Sequence, residues 1–270
     1  MHPALLTPDL LAPGDGKSAR LDPAQFTWSR IRSCEDPLFE NAYAALRAEF
    51  GATHEMETRE VLASRFTAGR GTRYEIIVAL SGGIIAAVRD LSAIWFEGEV
   101  VMHLSHLLVA PRWRRSGLAG WMRAVPVLTG RAMAASRGHP DAPVTLAGEM
   151  EYDDGSDPMR RVRLAAYEHA GFKKIDPRAV QYFQPDFRAP AEIDAAGGAL
   201  PLSFQLIIRR VGREDESTIT GAGVRRLVRA LHAMYALHFR PKDMEHPALS
   251  LERFPEDSAG IALVPPTASA

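Results

Sequence analysis

The segment from Leu107 to Met122 (LLVAPRWRRSGLAGWM) combines positive charge, small residues and the start of a helix. Its apolar beginning predicts a strand that ends at Val109, and a short basic loop then leads to a helix that opens near Gly117. The first N–H groups of a helix have no partners within it and lie at the positive end of its dipole. A glycine leaves room for a phosphate, and the arginines of the loop add charge. The sequence therefore predicts an anion site suited to a pyrophosphate, with a plain basic strand-to-helix turn as the alternative.

A second segment, Ala166 to Phe172 (AYEHAGF), places a tyrosine near the end of a predicted helix that Gly171 terminates. Taken alone, this tyrosine is typical of core packing. Together the two segments resemble the GNAT superfamily of N-acetyltransferases. The first is similar to the family's acyl-CoA motif V-x-P-x-(aromatic)-R-x-x-G-x-G/A, and the second to its Y-E-x-x-G-F element. The first motif stands here as Val109, Pro111, Trp113, Arg114, Gly117 and Ala119.

The resemblance implies an acyl-CoA donor, in the first place acetyl-CoA. Backbone groups at the end of the strand would bond the pantetheine arm and the thioester carbonyl, at Leu107, Leu108 and Val109. Backbone amides of the loop and the first helical turn would hold the pyrophosphate, at Arg114, Arg115, Ser116, Gly117, Leu118 and Ala119. A primary amine of a small molecule or a peptide would attack the thioester directly, without an acyl-enzyme.

Two proton transfers complete such a reaction. Tyr167 matches the tyrosine that commonly protonates the leaving thiolate, and a phenol with an ordinary pKa near 10 is protonated at neutral pH. His103 is the first choice for the base, since the ordinary imidazole pKa is about 6.5 and the strand pattern puts this residue on the same face as Leu107. Glu149 is the second candidate, alone or through a water, and His106 points to the opposite strand face. A half-buried polar residue without a role is the alternative for His103.

Carboxylates cluster near the expected cleft, at Glu149, Glu151, Asp153 and Asp154. They would attract a cationic amine, and a solvated turn is the alternative. The chain also departs from the family pattern. Arg115 stands where many relatives have glycine, Arg160 and Arg163 stand where asparagine and alanine are usual, and Pro126 lies inside the predicted donor-binding helix and should disturb it.

The elements that must position these residues follow from hydrophobic periodicity. Runs rich in β-branched residues, joined by turns at Gly82-Gly83 and Glu97-Gly98, predict an antiparallel meander over 74–80, 83–91 and 99–109. Further strands are predicted at 26–34, 143–150, 179–183 and 202–211. Helices are predicted at 36–51, 56–66, 116–136, 157–170 and 221–239. The chain beyond Pro241 is predicted to be irregular.

This order indicates an α/β (α+β) fold with a mixed, mostly antiparallel central sheet of about seven strands and helices on both faces. It is also the order that the GNAT resemblance implies. We expect a flexible N-terminal arm over 1–24, one acyltransferase domain over 25–212, and a C-terminal helical extension and tail over 213–270.

Composition is that of an ordinary globular protein, with 46% apolar and 24% charged residues and a net charge of −1. There is no general basic field, so neither nucleic acid nor a membrane surface is an expected partner. Cys34 is the only cysteine, and the histidines lack metal-ligand spacing, so no disulfide and no metal are expected. No apolar run is long enough to span a membrane, and the start does not resemble a signal peptide, which favours a cytoplasmic location.

The sequence therefore predicts an acyl-CoA-dependent N-acyltransferase that transfers acetyl to a primary amine through a ternary complex. The alternative is a non-catalytic, acyl-CoA-binding or regulatory module of the same fold, because a fold and a binding site do not by themselves establish a reaction. Transfer of a longer acyl chain, and assembly as a homodimer, remain open.

Overall fold

A computed structural model describes residues 1–51, 56–67, 69 and 71–269. Its strands are β1 (Thr27–Ile31), β2 (Thr72–Ser81), β3 (Ile84–Phe96), β4 (Glu99–Val109), β5 (Val144–Met150), β6 (Lys173–Ile175), β7 (Tyr182–Gln184), β8 (Leu202–Arg210), β9 (Thr218–Thr220) and β10 (Gly260–Val264). Its α-helices are α1 (Phe39–Phe50), α2 (Arg59–Arg65), α3 (Leu118–Ser136), α4 (Pro158–His169), α5 (Pro190–Ala195), α6 (Gly221–Tyr235) and α7 (Pro241–Ser250). Helix α3 runs through Pro126 without a break.

Local sequence explains the main turns and helix starts. The turns of the predicted meander place Gly82, Gly83 and Gly98 at positive φ, which suits tight hairpins. Helices α4 and α6 begin after capping side chains: Asp157 accepts a hydrogen bond from the amide of Met159, and Thr220 accepts one from the amide of Gly223. The predicted meander β2–β3–β4 is therefore formed as expected.

The strands form one mixed sheet in the order β1-β2-β3-β4-β5-β8-β6-β10-β9, with β7 paired beside β8. Every recorded pair is antiparallel except β4 with β5. The predicted fold class, a mostly antiparallel mixed sheet with helices on both faces, is confirmed. The sheet has more than about seven strands because short segments after α4 and after β8 extend it.

Helices cover both faces of the sheet. Helices α3 and α4 cover the side that we call the α3 face, where Leu104, Trp121 and Leu146 are buried in one core. Helix α6 covers the opposite side, the α6 face, where Val101 and Tyr235 belong to a second core. Helices α1 and α2 cover the β1–β3 end of that same side. The centre of the sheet is therefore enclosed on both sides.

A β-bulge interrupts β4 just before its end. Leu104 and Leu107 pair with residues of β3 that are only two positions apart, so Ser105 and His106 together oppose a single residue. The alternation of side chains is shifted there: Leu107 packs into the core of the α3 face, whereas His103 contacts helix α6 on the other face. The prediction that His103 and Leu107 share a face is therefore wrong, and so is the prediction that His106 points away from His103.

The N-terminal segment is packed rather than loose. Residues 1–24 contain four short 3-10 helices, at Pro3–Leu5, Pro8–Leu10, Ser18–Arg20 and Pro23–Gln25. Leu10 is 1% exposed, and its carbonyl accepts a hydrogen bond of 3.1 Å from Arg209 of β8. The sequence analysis expected a flexible arm. The segment is packed instead, because a few leucines spaced among its prolines are buried in the core.

The C-terminal part also differs from the prediction. The stretch beyond Pro241 forms α7 and then β10, which pairs with β6 on one side and β9 on the other. Strands β6 and β9 are only three residues long, too short for a periodic signal. Helix α5 lies in the stretch between β7 and β8, where no helix or strand was predicted. Among the described helices, none is long and apolar enough to cross a membrane.

Candidate functional site

Strands β4 and β5 separate in the middle of the sheet. Their parallel pairing runs from Val100 with Val144 to His103 with Ala147 and then ends, although both strands continue. A cavity of about 230 Å³ lies where they diverge. Four residues predicted to belong to the site line it: His103, Leu107, Glu149 and Tyr167.

On the α3 face, Tyr167 and the buried Arg123 line the cavity, and a second buried arginine, Arg89, contacts Tyr167. Nη2 of Arg89 donates a hydrogen bond of 2.8 Å to the hydroxyl oxygen of Tyr167. The guanidinium of Arg123 lies over the tyrosine ring, 5.5 Å from its centroid, and also lines the cavity. Phe172 packs edge-on against the same ring, which fixes its plane. Tyr167 is therefore held from several sides at the wall of the cavity.

On the α6 face, His103 and Glu149 form a pair. Nε2 of His103 lies 3.1 Å from Oε2 of Glu149, and the two side chains are only 3% and 4% exposed. The second imidazole nitrogen, Nδ1, lies 3.2 Å from the hydroxyl of Ser105. Because a carboxylate only accepts hydrogen bonds, Nε2 carries a proton whether the ring is charged or neutral, and Nδ1 is the nitrogen that can accept a proton when the ring is neutral.

Three further side chains hold the Glu149 carboxylate. Tyr182 and Tyr235 donate their hydroxyl protons to it, the latter at 2.6 Å, and Nε2 of Gln184 donates at 2.7 Å. Burial by itself would raise the pKa of Glu149, but the hydrogen bonds and charge of His103, with the tyrosine hydroxyls, lower it below the ordinary value. Such a carboxylate stays ionised and is a weak base, so it is better suited to orient His103 than to take a proton itself.

The partners of Glu149 could not be found from sequence motifs. Tyr182 lies on β7, Gln184 at the end of that strand, and Tyr235 at the end of α6, all far from β5 in the chain. Burial and the neighbouring carboxylate raise the pKa values of both tyrosines well above the ordinary value, which keeps them protonated donors. The C-terminal extension thus contributes a side chain to the candidate site.

The bulge in β4 brings His106 to the cavity as well. Its Nδ1 lies 3.0 Å from Oδ1 of Asp90, and its backbone amide donates to the same oxygen at 2.8 Å. Tyr74 donates to the other oxygen of this carboxylate at 3.0 Å. Burial opposes ionisation of Asp90, yet the charge and hydrogen bonds of His106 hold its pKa below the ordinary value. Two histidine–carboxylate pairs therefore flank the same cavity.

The predicted acidic cluster is mostly neutralised by the arginines that depart from the family pattern. Glu151, at the cavity, accepts hydrogen bonds from Arg160 at 2.7 Å and from Arg163 at 2.8 Å. Arg160 also pairs with Asp154 at 2.7 Å, and Asp153 has its own arginine partner. Within the cluster, only Glu149 is held by neutral donors in addition to a histidine.

The predicted anion loop has the expected strand-loop-helix form. A short 3-10 turn (Pro111–Trp113) follows β4, and α3 begins after Gly117, whose φ is 104°. Arg115 also adopts a positive φ, 63°, so it keeps the backbone conformation that a glycine favours. The hydroxyl of Ser116 accepts a hydrogen bond of 3.2 Å from the amide of Leu118, so one of the amides expected to hold a pyrophosphate has an internal partner.

The N-terminal segment lies directly against the first turn of α3. A Cβ placed on Gly120 would lie 1.9 Å from Oγ of Ser18 and 2.3 Å from Oδ2 of Asp15. A Cβ on Gly117 would lie 3.0 Å from the carbonyl oxygen of Lys17. Asp15 also faces Nη2 of Arg123 at 3.8 Å. The absence of side chains on these glycines therefore serves the packing of the chain's own N-terminal segment.

No protein-family profile and no curated protein sequence matches the chain. Several solved structures are similar to it in part. One is a tandem GNAT protein from the clavulanic acid biosynthesis pathway, 22% identical, with a TM-score of 0.37; the similarity covers 56% of this chain and 45% of that one. Another is the ribosomal-protein-S18-alanine N-acetyltransferase from Escherichia coli, 16% identical, with a TM-score of 0.40, covering 69% of this chain and 94% of that one.

A third is an acyl-CoA N-acyltransferase from Pseudomonas aeruginosa, 17% identical, with a TM-score of 0.38, covering 68% of this chain and 99% of that one. This chain thus spans less than half the length of the tandem protein. At such identities and TM-scores, structural similarity does not assign an activity.

Proposed function

We propose that this chain is an acyl-CoA-dependent N-acyltransferase of the GNAT kind that transfers acetyl from acetyl-CoA to a primary amine. The observation that carries the proposal is the cavity between the diverging strands β4 and β5. It brings Tyr167 from the α3 face and the His103–Glu149 pair from the α6 face to one space. A direct transfer needs an acid near the leaving group and a base near the nucleophile, and this cavity offers one of each.

The donor would approach from the α3 face. Beyond the bulge β4 no longer pairs with β5, and backbone groups on that edge, from Leu107 to Val109, would bond the pantetheine arm and the thioester carbonyl. The basic loop and the first turn of α3 would hold the pyrophosphate, with the exposed arginines of the loop adding charge. The thioester would then lie in the gap between β4 and β5, beside Tyr167.

The amine would approach from the α6 face. Its nitrogen forms the new C–N bond at the thioester carbonyl, giving a tetrahedral intermediate that expels the sulfur. The amine proton passes to Nδ1 of His103, directly or through the hydroxyl of Ser105, while Glu149 stabilises the imidazolium. The phenol of Tyr167 protonates the departing thiolate, so that amide and thiol are the products. The imidazolium of His103 then loses its proton to solvent and the phenolate of Tyr167 regains one, which restores both groups.

The charged side chains on the two sides of the cavity agree with these directions of approach for the donor and the amine. On the α3 side, the Arg123 guanidinium lines the cavity and the Arg89 guanidinium contacts Tyr167, and both positive charges suit an anionic donor. The α6 side has the ionised Glu149, which suits an ammonium group before it loses its proton. Amines borne on small molecules and on peptides both fit this description.

One observation favours the alternative, a non-catalytic acyl-CoA-binding module. Asp15 and Ser18 lie against the first turn of α3, where the pyrophosphate would bind, and a donor would have to share that space or displace the segment. A module that senses acyl-CoA through this displacement would need no acceptor.

A thiol-release assay separates these functions. The full chain is incubated with acetyl-CoA and a panel of amines: small aliphatic and aromatic amines, polyamines, aminoglycosides, amino acids and short peptides. Amine-dependent release of CoA, with formation of the acetylated amine by mass spectrometry, supports the transferase. Binding of CoA by calorimetry, without turnover on any amine, supports the module. Absence of binding contradicts both.

A further inference from the structure

Arg89 is a fully buried cation in the centre of the sheet. It lies on β3, opposite Leu107 of β4, and its side chain is directed to the α3 face, where Nη2 bonds Tyr167 at 2.8 Å. Its exposure is 0%. None of the family motifs that identify the donor site includes this position.

The chemistry of the two side chains fixes the direction of their hydrogen bond. A guanidinium has donors only, so the oxygen of Tyr167 must be the acceptor. The hydroxyl proton of Tyr167 is then directed elsewhere, and no acceptor for it is found among the residues that the structure describes. Because Tyr167 lines the cavity, the proton is available to a group that enters it.

The charge around Tyr167 is also unbalanced. Arg89 and Arg123 both contact it, but the nearby carboxylate is Asp15, 3.8 Å from Arg123. Nε and Nη1 of Arg89 and Nε of Arg123 are buried without a hydrogen-bond partner in the described part of the chain. A buried cation without compensation is unfavourable for folding, so its presence calls for a functional reason. Preorganised positive charge where negative charge develops is such a reason.

We propose that Arg89 is a positioning residue that directs the O–H of Tyr167 toward the departing sulfur and, together with Arg123, keeps this end of the cavity cationic for the thiolate. The proposal rests on the proposed function, since it concerns the leaving group of that reaction. Arg89 acts through its hydrogen bond to Tyr167 and through its charge, and it need not touch either substrate.

The test compares Arg89→Met, Arg89→Lys, Tyr167→Phe and the double variant Arg89→Met/Tyr167→Phe. Methionine fills much of the same volume without charge, and apolar replacement of a buried charge is commonly tolerated. We expect Arg89→Met to lower kcat by about 10²-fold, the contribution of one acid–base group, with the KM for acetyl-CoA within about threefold. The lysine variant should recover at least about tenfold of this loss. The double variant should lose clearly less than the product of the two single losses, because the part of the Arg89 effect that passes through Tyr167 is already lost in Tyr167→Phe.

A second measurement does not depend on turnover. The affinity for CoA relative to desulfo-CoA, which lacks the thiol, is followed by calorimetry as the pH rises and the thiol ionises. In the wild-type protein CoA should gain affinity over desulfo-CoA with rising pH, and in Arg89→Met that gain should be reduced at least about fivefold, since the thiolate loses a nearby cation. Thermal melting checks that each variant is folded.

The outcomes distinguish the two proposals. If no amine accelerates thiol release by the wild-type protein, the proposed function fails. The ratio of the affinities for CoA and desulfo-CoA then still shows whether Arg89 stabilises a bound thiolate. If the wild-type protein is active, and Arg89→Met has the same kcat and the same pH dependence of that affinity ratio, the proposed role of Arg89 is contradicted. Multiplicative losses in the double variant would likewise contradict action through Tyr167.

Discussion

Nε2 of His103 and Oε2 of Glu149 lie 3.1 Å apart in the interior of the sheet, across the last pairing of β4 with β5. The two residues are 46 positions apart in the sequence, and neither has a counterpart role in the motifs of the donor site. Their contact leaves Nδ1 of the histidine facing Ser105 and the cavity. Glu149 therefore sets which nitrogen of His103 is the base.

Replacing Glu149 by glutamine should lower kcat/KM by about 10- to 10²-fold, because an amide no longer fixes the imidazole tautomer or stabilises the imidazolium. His103→Gln should cost at least as much, and combining the two should add little, as expected for residues that act as a unit. Tyr182→Phe is the matched control, since it removes one neutral donor from the same carboxylate, and it should cost much less. Independent, multiplicative losses at His103 and Glu149 would contradict the pair.

Replacing Tyr167 by phenylalanine should lower kcat by about 10²-fold, since the departing thiolate loses its proton donor. The packing of the ring against Phe172 is kept, so the KM for acetyl-CoA should change little. The melting temperature should fall, because the buried Arg89 loses the oxygen that accepts its hydrogen bond. Steady-state kinetics with the best amine of the panel provides the measurement. Turnover equal to that of the wild-type protein would remove Tyr167 from the acid role.

The loop before α3 offers a test of the anion site that does not disturb the N-terminal segment. Arg115→Gly should bind CoA about 3- to 10-fold more weakly, because one guanidinium near the phosphates is lost. The protein should not be destabilised, since a non-glycine residue at positive φ costs about 1–2 kcal/mol that glycine avoids. Arg115→Lys keeps the charge and should bind CoA nearly as well. Unchanged affinity in the glycine variant would exclude this side chain from the donor site.

The contact of the N-terminal segment with α3 can be tested through Gly120. Gly120→Ala places a Cβ within 1.9 Å of Oγ of Ser18, so the segment must move away from the helix. Trypsin should then cleave faster after Lys17 and Arg20, and mass spectrometry of the fragments measures the rate of cleavage. Gly16→Ala, within the same segment, meets nothing within 4 Å and is the control. Equal cleavage of both variants would show that the segment does not depend on this contact.

The sequence predicted the sheet, its meander and the strand-loop-helix formed by β4, the basic loop and α3. These depend on periodicity and on turn residues close together in the chain. It also identified the three side chains that meet at the cavity, His103, Glu149 and Tyr167. It could not give their orientation. The bulge at Ser105 adds one residue to β4, and a single added residue reverses the face of every side chain beyond it.

The contacts of the site that the sequence did not predict were missed for another reason. Tyr182, Gln184 and Tyr235 reach Glu149 only through the tertiary fold, and each would be an ordinary core or strand residue in its local sequence. Arg89 looks like a polar residue in an apolar strand until its contact with Tyr167 is known. Long-range polar contacts of this kind leave no periodic signal, which is why sequence patterns locate a site better than they complete it.

Stability should depend on pH through His232 on α6. Burial lowers the pKa of this imidazole to about 4, so between that pH and the ordinary value of about 6.5 the unfolded chain binds a proton that the folded chain does not. The free energy of unfolding should therefore fall as the pH drops through this window, by up to about 1.4 kcal/mol per pH unit.

His232→Phe keeps an aromatic ring beside Tyr182, 5.9 Å away in the wild-type protein, and should reduce this slope. Urea unfolding at several pH values between 5 and 7 measures it. His238, whose pKa burial also lowers to about 4, remains in the variant and accounts for the slope that is left. An unchanged slope would mean that His232 is not the group that titrates.

Strand β10 has a consequence for how the protein can be shortened. It pairs with β6 and carries β9 on its other side, so it covers what would otherwise be an open edge of the sheet. An uncovered strand edge is a template for pairing with another chain. A version cut after residue 212 would expose that edge together with the apolar surface that α6 buries, and we expect it to aggregate rather than to behave as an independent domain.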